Sequence, residues 1–176
     1  MLAMKKTVIV VVVVFLTFLL IGYLLPSQYK IERSVIVNAP EKSIFPHIAD
    51  LKKWQNWGVW FKRDLNITIE YVGEEGVVGM KSIWVGEVMG EGEIEIIALE
   101  SNHRLIYTVR LADASKTSTG EFVLTKVESG TQVVWMEYGN VGYNPIHRYV
   151  AFFMDYSIGH DFELGLDNLK LVAESS

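Results

Sequence analysis

The hydrophobic pattern divides the chain at Pro26. From Thr7 to Leu25 the sequence TVIVVVVVFLTFLLIGYLL runs nineteen residues without a charge, which as a helix is about 28 Å long at 1.5 Å per residue. That nearly matches the roughly 30 Å hydrocarbon core of a bilayer. A valine run favours strand in water, so lipid is the setting that explains a helix here. A cleaved signal peptide has an apolar stretch of about 7 to 15 residues closed by a small-x-small site; here leucines, Leu20 and Leu25, stand two positions before Gly22 and Ser27. The expectation is therefore an uncleaved single-pass transmembrane anchor over residues 1–26, touching lipid through residues 7–25, and one soluble domain over 27–176. Lys5 and Lys6 would keep the N-terminus cytoplasmic and put the domain on the extracytoplasmic side, a margin narrowed by Lys30 and Arg33 just beyond the span.

After the break at Pro26, alternation and β-branched residues predict a strand over Tyr29–Val37. A helix should open at Asn38-Ala-Pro-Glu with Asn38 as cap, carrying Ile44, Phe45 and Ile48 on one side, and a second short helix should lie near Leu51–Gln55. Six further strands are expected at Ile67–Val72, Met80–Val85, Glu93–Glu100, Arg104–Leu111, Thr119–Val127 and Thr131–Tyr138, separated by turn residues. Leu105, Tyr107, Val109 and Leu111 share one strand face, which needs a cover. The segment from Pro145 to Ala173 supplies it, with an apolar stripe of Ile158, Phe162, Leu166 and Leu169 at helical spacing. Gly159 and Gly165 each cost about 1 kcal/mol inside a helix, which points to close packing at both positions.

Charge and composition narrow the function classes. Beyond Lys5 and Lys6 the chain carries fourteen basic and twenty-one acidic groups, a balance of −7, a poor surface for phosphate backbones, so no nucleic-acid partner is expected. There is no cysteine, which removes disulfides, thiolate nucleophiles and sulfur-ligated zinc. No H-x-x-x-H, H-E-x-x-H or G-x-S-x-G element occurs, and neither a metal site nor a cofactor is expected. Gly73, Gly76 and Gly79 read as a hairpin loop, because Met80 separates them from Lys81-Ser82 and strand rather than helix follows. Asn66-Ile67-Thr68 is only formally a glycosylation acceptor.

The segments RSVIVNAP (33–40), WQNWGVW, YVGEEGVVGMKSIWVG, GEGEIEI and GHDFELGLDNLK resemble the SRPBCC, or START-related, superfamily, in its bacterial polyketide cyclase/dehydrase-and-lipid-transport-like branch. Many members of that branch carry an N-terminal span. The resemblance covers about residues 29–173. It implies an α+β helix-grip fold: a seven-stranded curved antiparallel sheet, two short helices after the first strand, and a long C-terminal helix over the concave face. It also implies a cavity for an apolar small molecule or lipid. Two departures stand out: Val59 and Lys62–Asn66 replace a more acidic stretch, and Glu137 replaces an apolar residue.

In such a fold the expected ligand-binding residues are Trp57, Trp60, Trp84, Tyr107, Trp135, Glu137, Phe153 and Ser157. The same aromatics, with Trp54, would equally serve as core filling. Glu137 shares strand parity with Val133 and Trp135; facing inward it would be desolvated and become a candidate general acid or base. The plainer expectation is that Val134, Met136 and Tyr138 form the inner face, or that the strand end leaves Glu137 in water. His160 and Asp161 are neighbours on a helix and diverge by about 100°; His47, His103 and His147 are isolated. The leading function is membrane-tethered binding or transfer of a lipid-like or polycyclic molecule, more binding module than enzyme. The alternatives are a cyclase, hydratase or isomerase using Glu137 with Tyr107 or His160, and an interaction or stress-related domain with a filled core and an apolar patch at Val134, Met136 and Tyr138.

Overall fold

The structure, a computed structural model, describes residues 2–64, 66–112 and 117–175. Leu65 of the Lys62–Asn66 stretch, and the ends Met1 and Ser176 of the two expected segments, lie outside the described residues. The first element, α1 (Leu2–Leu24), contains Met4–Leu24, whose mean hydropathy of 2.9 and length suffice to cross a membrane. Almost none of it is buried by the rest of the protein.

Strand β1 (Gln28–Val37) follows at once, then α2 (Glu41–Ala49) and α3 (Trp54–Trp57), each continued by a single 3₁₀ turn, at Leu51–Lys53 and Trp60–Lys62. Six strands come next: β2 (Thr68–Val72), β3 (Lys81–Gly86), β4 (Gly90–Glu100), β5 (Arg104–Leu111), β6 (Ser118–Val127) and β7 (Gly130–Asn140). They form one antiparallel sheet in the order β1-β7-β6-β5-β4-β3-β2. A meander of hairpins thus closes on β1 at the edge, and α2 and α3 carry the chain from that edge to the other. A register shift between Ile96 and Ala98 adds local bend and twist. The closing helix α4 (Pro145–Glu174) lies chiefly along β1. This is the helix-grip α+β fold.

Asn38 does not cap α2. Pro40 occupies the cap position in an extended conformation and makes no side-chain cap bond, so the helix starts at Glu41. The backbone N–H of Asn38 instead donates to Glu174 Oε1 at 2.7 Å, tying the end of β1 to the end of α4. Gly73, Gly76 and Gly79 do form the β2–β3 loop, all at positive φ, where glycine carries no Cβ penalty.

Phe162, Leu166 and Leu169 of the expected α4 stripe are fully buried and Ile158 partly so. Both helix glycines mark close approaches. A Cβ on Gly165 would stand 2.9 Å from the Trp135 ring, and one on Gly159 would strike the Arg33 guanidinium. That guanidinium donates to Asp155 Oδ1 and to Glu163 Oε1, each at 2.7 Å, so it spans one turn of α4 on either side of Gly159.

Candidate functional site

The inner face of the sheet, under α2 and α4, is read off the strand registers. Glu137 pairs with Gly120 on β6 and Ile31 on β1, Trp135 with Phe122 and Arg33, Tyr107 with Gly120 and Ile96, and Trp84 with Gly92. Its middle is a solid aromatic block. Trp135 stacks on Phe122 at 4.9 Å and on Phe162 of α4 at 4.1 Å between centroids; Trp57 meets Trp135 edge-on at 5.4 Å, and Trp54 meets Tyr107 edge-on at 5.1 Å. Such pairs add about 0.5–1.5 kcal/mol each beyond the area they bury. The polar atoms of the block are consumed internally. Trp54 Nε1 donates to the Ile48 carbonyl at 2.9 Å, Trp57 Nε1 to the His47 carbonyl at 3.0 Å, and Trp135 Nε1 to the Tyr107 hydroxyl at 2.7 Å. Tyr107 fits because Gly120 opposite it has no side chain.

Burial on this face is graded along the strands. At the end holding Val37, Leu105, Leu124 and Val133 those four residues are buried, while Val35 and Leu99 beside them are partly covered. At the other end, where α1 joins β1 and α4 begins, Tyr29, Ile94, Val109 and Glu137 are only partly covered, and Leu111 is 42 % exposed. Met154 and Ile158 of α4 are half-buried too, as are Trp60 and Phe61, with Trp60 edge-on to both Trp135 and Phe162. Glu137 accepts a hydrogen bond from the Ser118 hydroxyl at 2.8 Å. Burial raises its pKa above the ordinary carboxyl value, the Ser118 bond only partly opposing this. Burial, and then Glu137, raise the Tyr29 phenol in turn, and push Tyr107 well above the usual phenol range. Across the sheet, Trp84 Nε1 is buried and has no hydrogen-bond partner among the described residues; an unsatisfied donor of this kind costs about 1–3 kcal/mol.

The grip, its aromatic block and its half-open end coincide with a match over residues 28–174 to the family model described as polyketide cyclase / dehydrase and lipid transport. The chain belongs to that family. As a fold it is similar to a Staphylococcus aureus protein of unknown function, at 17% identity and TM-score 0.65, covering 84% of this chain and 94% of that one. It is also similar to a Mesorhizobium loti protein at 14% identity and TM-score 0.61, covering 84% and 98%. The solution structure of the Aha1 dimer from Colwellia psychrerythraea matches at 17% identity and TM-score 0.59, covering 82% and 96%. No curated protein matches the chain.

Within this lipid-transport family fold, the expected site residues separate into three groups. Trp57, Tyr107 and Trp135 form the buried block; Trp60, Trp84 and Glu137 lie where the inner face opens or keep a free polar atom. Phe153 and Ser157 do not line the interior. Both sit on the outward face of α4 because the inward stripe runs through Ala151, Met154, Ile158 and Phe162, and the Ser157 hydroxyl turns back onto the Phe153 carbonyl at 2.9 Å. The plainer reading of β7 is also corrected. Val133 and Trp135 are buried while Tyr138 is exposed, so Glu137 faces inward and Val134, Met136 and Tyr138 form the outer face. His160 cannot partner Glu137, since it is exposed and sits beside Glu163 at 3.4 Å. Its neighbour Asp161 points the other way, buried, and takes both Nη atoms of Arg63 at 2.5–2.6 Å.

Sequence reasoning missed Tyr29 and Ser118, which complete the polar corner around Glu137; Tyr29 has inward parity with Ile31, a signal that was available. It also missed a surface depression of about 500 Å³ near the Leu124 end of the sheet, lined by Pro40, Glu41, Lys42, His103, Leu124 and Lys126 among others. Among the described residues no group of three His, Cys, Asp or Glu side chains is placed to hold a metal ion.

Proposed function

We propose that the protein is a membrane-tethered binding or transfer module for a lipid-like molecule, entering the grip at its half-open end. The observation that carries this is the cover of the inner face: the aromatic block at its centre is fully buried, whereas toward the end of the sheet where α1 is attached Tyr29, Ile94, Val109 and Glu137 are partly covered and Leu111 is exposed. A ligand there would lay its apolar body against Trp60, Val109, Ile94 and Ile158. Its polar end would meet Glu137 and Ser118, or the free N–H of Trp84. An inward carboxyl without a cationic partner orients a hydroxyl or an amine more readily than it performs turnover. The family description adds weight to the hydrophobic ligand class.

The test uses the full chain released from detergent micelles into a native mass spectrometer in the presence of oleic acid or phosphatidylcholine. The expected result is a one-to-one adduct that Val109→Trp, which fills the opening, abolishes. No adduct, or one indifferent to Val109→Trp, overturns the proposal.

Lys5 and Lys6 near the start of α1 favour a cytoplasmic N-terminus, with the domain on the other side. The chain has no cysteine, so labelling of Ser175→Cys on intact cells by a membrane-impermeant maleimide is expected. Labelling only after lysis reverses the orientation.

The enzymatic reading keeps one observation in its favour, the raised pKa of Glu137. His160 is turned away and the Tyr107 hydroxyl is engaged by Trp135, so neither partner expected for Glu137 is placed to move a proton with it, and the binding reading is preferred.

A further inference from the structure

The first three turns of α4 carry an apolar outer face that the rest of the protein leaves uncovered. Ile146, Val150, Phe152, Phe153 and Tyr156 are all more than half exposed, Tyr156 at 88 %. In the next turns the exposed positions turn mainly polar, with His160, Glu163 and Asp167, although Leu164 and Leu171 are exposed among them. The change falls within one continuous helix, so it reflects two surroundings rather than two elements.

Arg148 and Asp155, the charged groups of the apolar stretch, are both engaged by other protein groups, the Asp155 side chain while still 54 % exposed. Arg148 donates to the Tyr23 carbonyl at 2.6 Å, the Leu25 carbonyl at 3.2 Å and the Gly142 carbonyl at 3.0 Å, which closes the C-terminal end of α1. Asp155 is engaged by Arg33. Only His147 remains, exposed at the flank.

The contact with α1 says what covers this face. The Tyr149 ring stacks on Phe18 at 4.4 Å and its hydroxyl donates to the Phe18 carbonyl at 2.8 Å. Gly22 gives Pro145 room; a Cβ there would lie 2.8 Å from the proline ring. Phe18 stands six residues before the end of α1, about 9 Å inside the span at 1.5 Å per residue. The start of α4 is thus clamped to the last two turns of the helix that would cross the membrane, and its aromatics lie at the depth where such rings gather.

We propose that the outer face of α4 from Ile146 to Tyr156 sits in the interfacial layer of the same bilayer, as a second membrane contact that presses the open end of the grip onto lipid. This rests on reading α1 as a membrane span. It makes the domain a body fixed at two places rather than one swinging on the short linker after Leu24.

Single-cysteine variants of the full chain, labelled with the fluorophore NBD and reconstituted in phosphatidylcholine vesicles with or without brominated lipid, test it. Leu16→Cys reports on the span, Ile146→Cys and Phe153→Cys on the proposed contact, and Asp167→Cys on the polar part of α4. Expected are quenching at 16, 146 and 153 by at least twofold, with blue-shifted emission, and neither at 167. If 16 is quenched while 146 and 153 behave like 167, the second contact is overturned and the tether stands. Blue-shifted emission at 153 without lipid quenching means a protein or a second copy covers the face, which also overturns it. No quenching at 16 removes the tether itself.

Discussion

Two carboxyls show how the same residue chemistry takes opposite signs here. Asp64 is buried and accepts from the backbone N–H groups of Val88 and Met89 at 2.8 and 3.0 Å, which lower its pKa below 3.8. Its contribution is present above that value and is lost as pH falls through the lowered one. Glu137 runs the other way. Burial raises its folded-state pKa above 4.5, so the fold is favoured when the group is protonated. Stability is full below about pH 4.5, declines as pH rises through the raised value, and stays reduced above it. Glu137→Gln keeps an oxygen for the Ser118 hydroxyl and removes the charge. Thermal unfolding should therefore give a higher Tm for this variant at pH 7–8 and an unchanged one near pH 3.5. Equal melting at both pH values would mean that Glu137 is ionised at no cost and is fully hydrated. A residue that weakens the fold at neutral pH, placed where an apolar side chain would strengthen it, is the kind of position function retains.

At the level of elements, legibility depended on period. All seven strands and the long helix follow from alternation, turn residues and the 3.6 spacing, and their ends fall within a few residues of those expected, since pairing extends a strand beyond its apolar positions, as at Gly90–Gly92 of β4. Gly159 and Gly165 were readable as packing sites, though not what fills them: a guanidinium in one case and an indole in the other. Cap chemistry was less legible. Asn38 has the right side chain, yet the extended Pro40 two residues later sets where α2 begins. The candidate site was half visible. The aromatics and the parity of Glu137 are sequence facts, but which face of β7 turns inward is decided by α4 seating Phe162 on Trp135, a contact between residues 27 apart in the chain. Phe153 and Ser157 were misplaced for a related reason. Their stretch of α4 is apolar on both sides, so no stripe tells the face turned to the sheet from the outer face.

Taken as a whole, the molecule separates the packed domain from its N-terminal helix. Every member of the buried core comes from β1 onward or from α2, α3 and α4, and none comes from α1. The contact of α1 with the domain runs through Phe18, Gly22, Tyr23 and Leu25 on one side and Pro145, Arg148 and Tyr149 on the other. Removing residues 1–26 would therefore cost the bonds of Arg148 to the Tyr23 and Leu25 carbonyls, the bond of Tyr149 to the Phe18 carbonyl and one ring stack, each worth about 1 kcal/mol, and none of the aromatic block. For a domain of about 150 residues, at about 2–4 °C per kcal/mol, a loss of roughly 4 kcal/mol lowers Tm by about 8–16 °C. The effect should also be local: amide hydrogen exchange in residues 27–176 is expected to speed up over 146–150, where α4 loses its clamp, and to remain slow over 159–173, where Phe162, Leu166 and Leu169 stay buried. Uniform acceleration along α4, or a fragment that does not fold, would make α1 part of the domain's core. In that event the boundary between anchor and domain at residue 26 would have to be withdrawn.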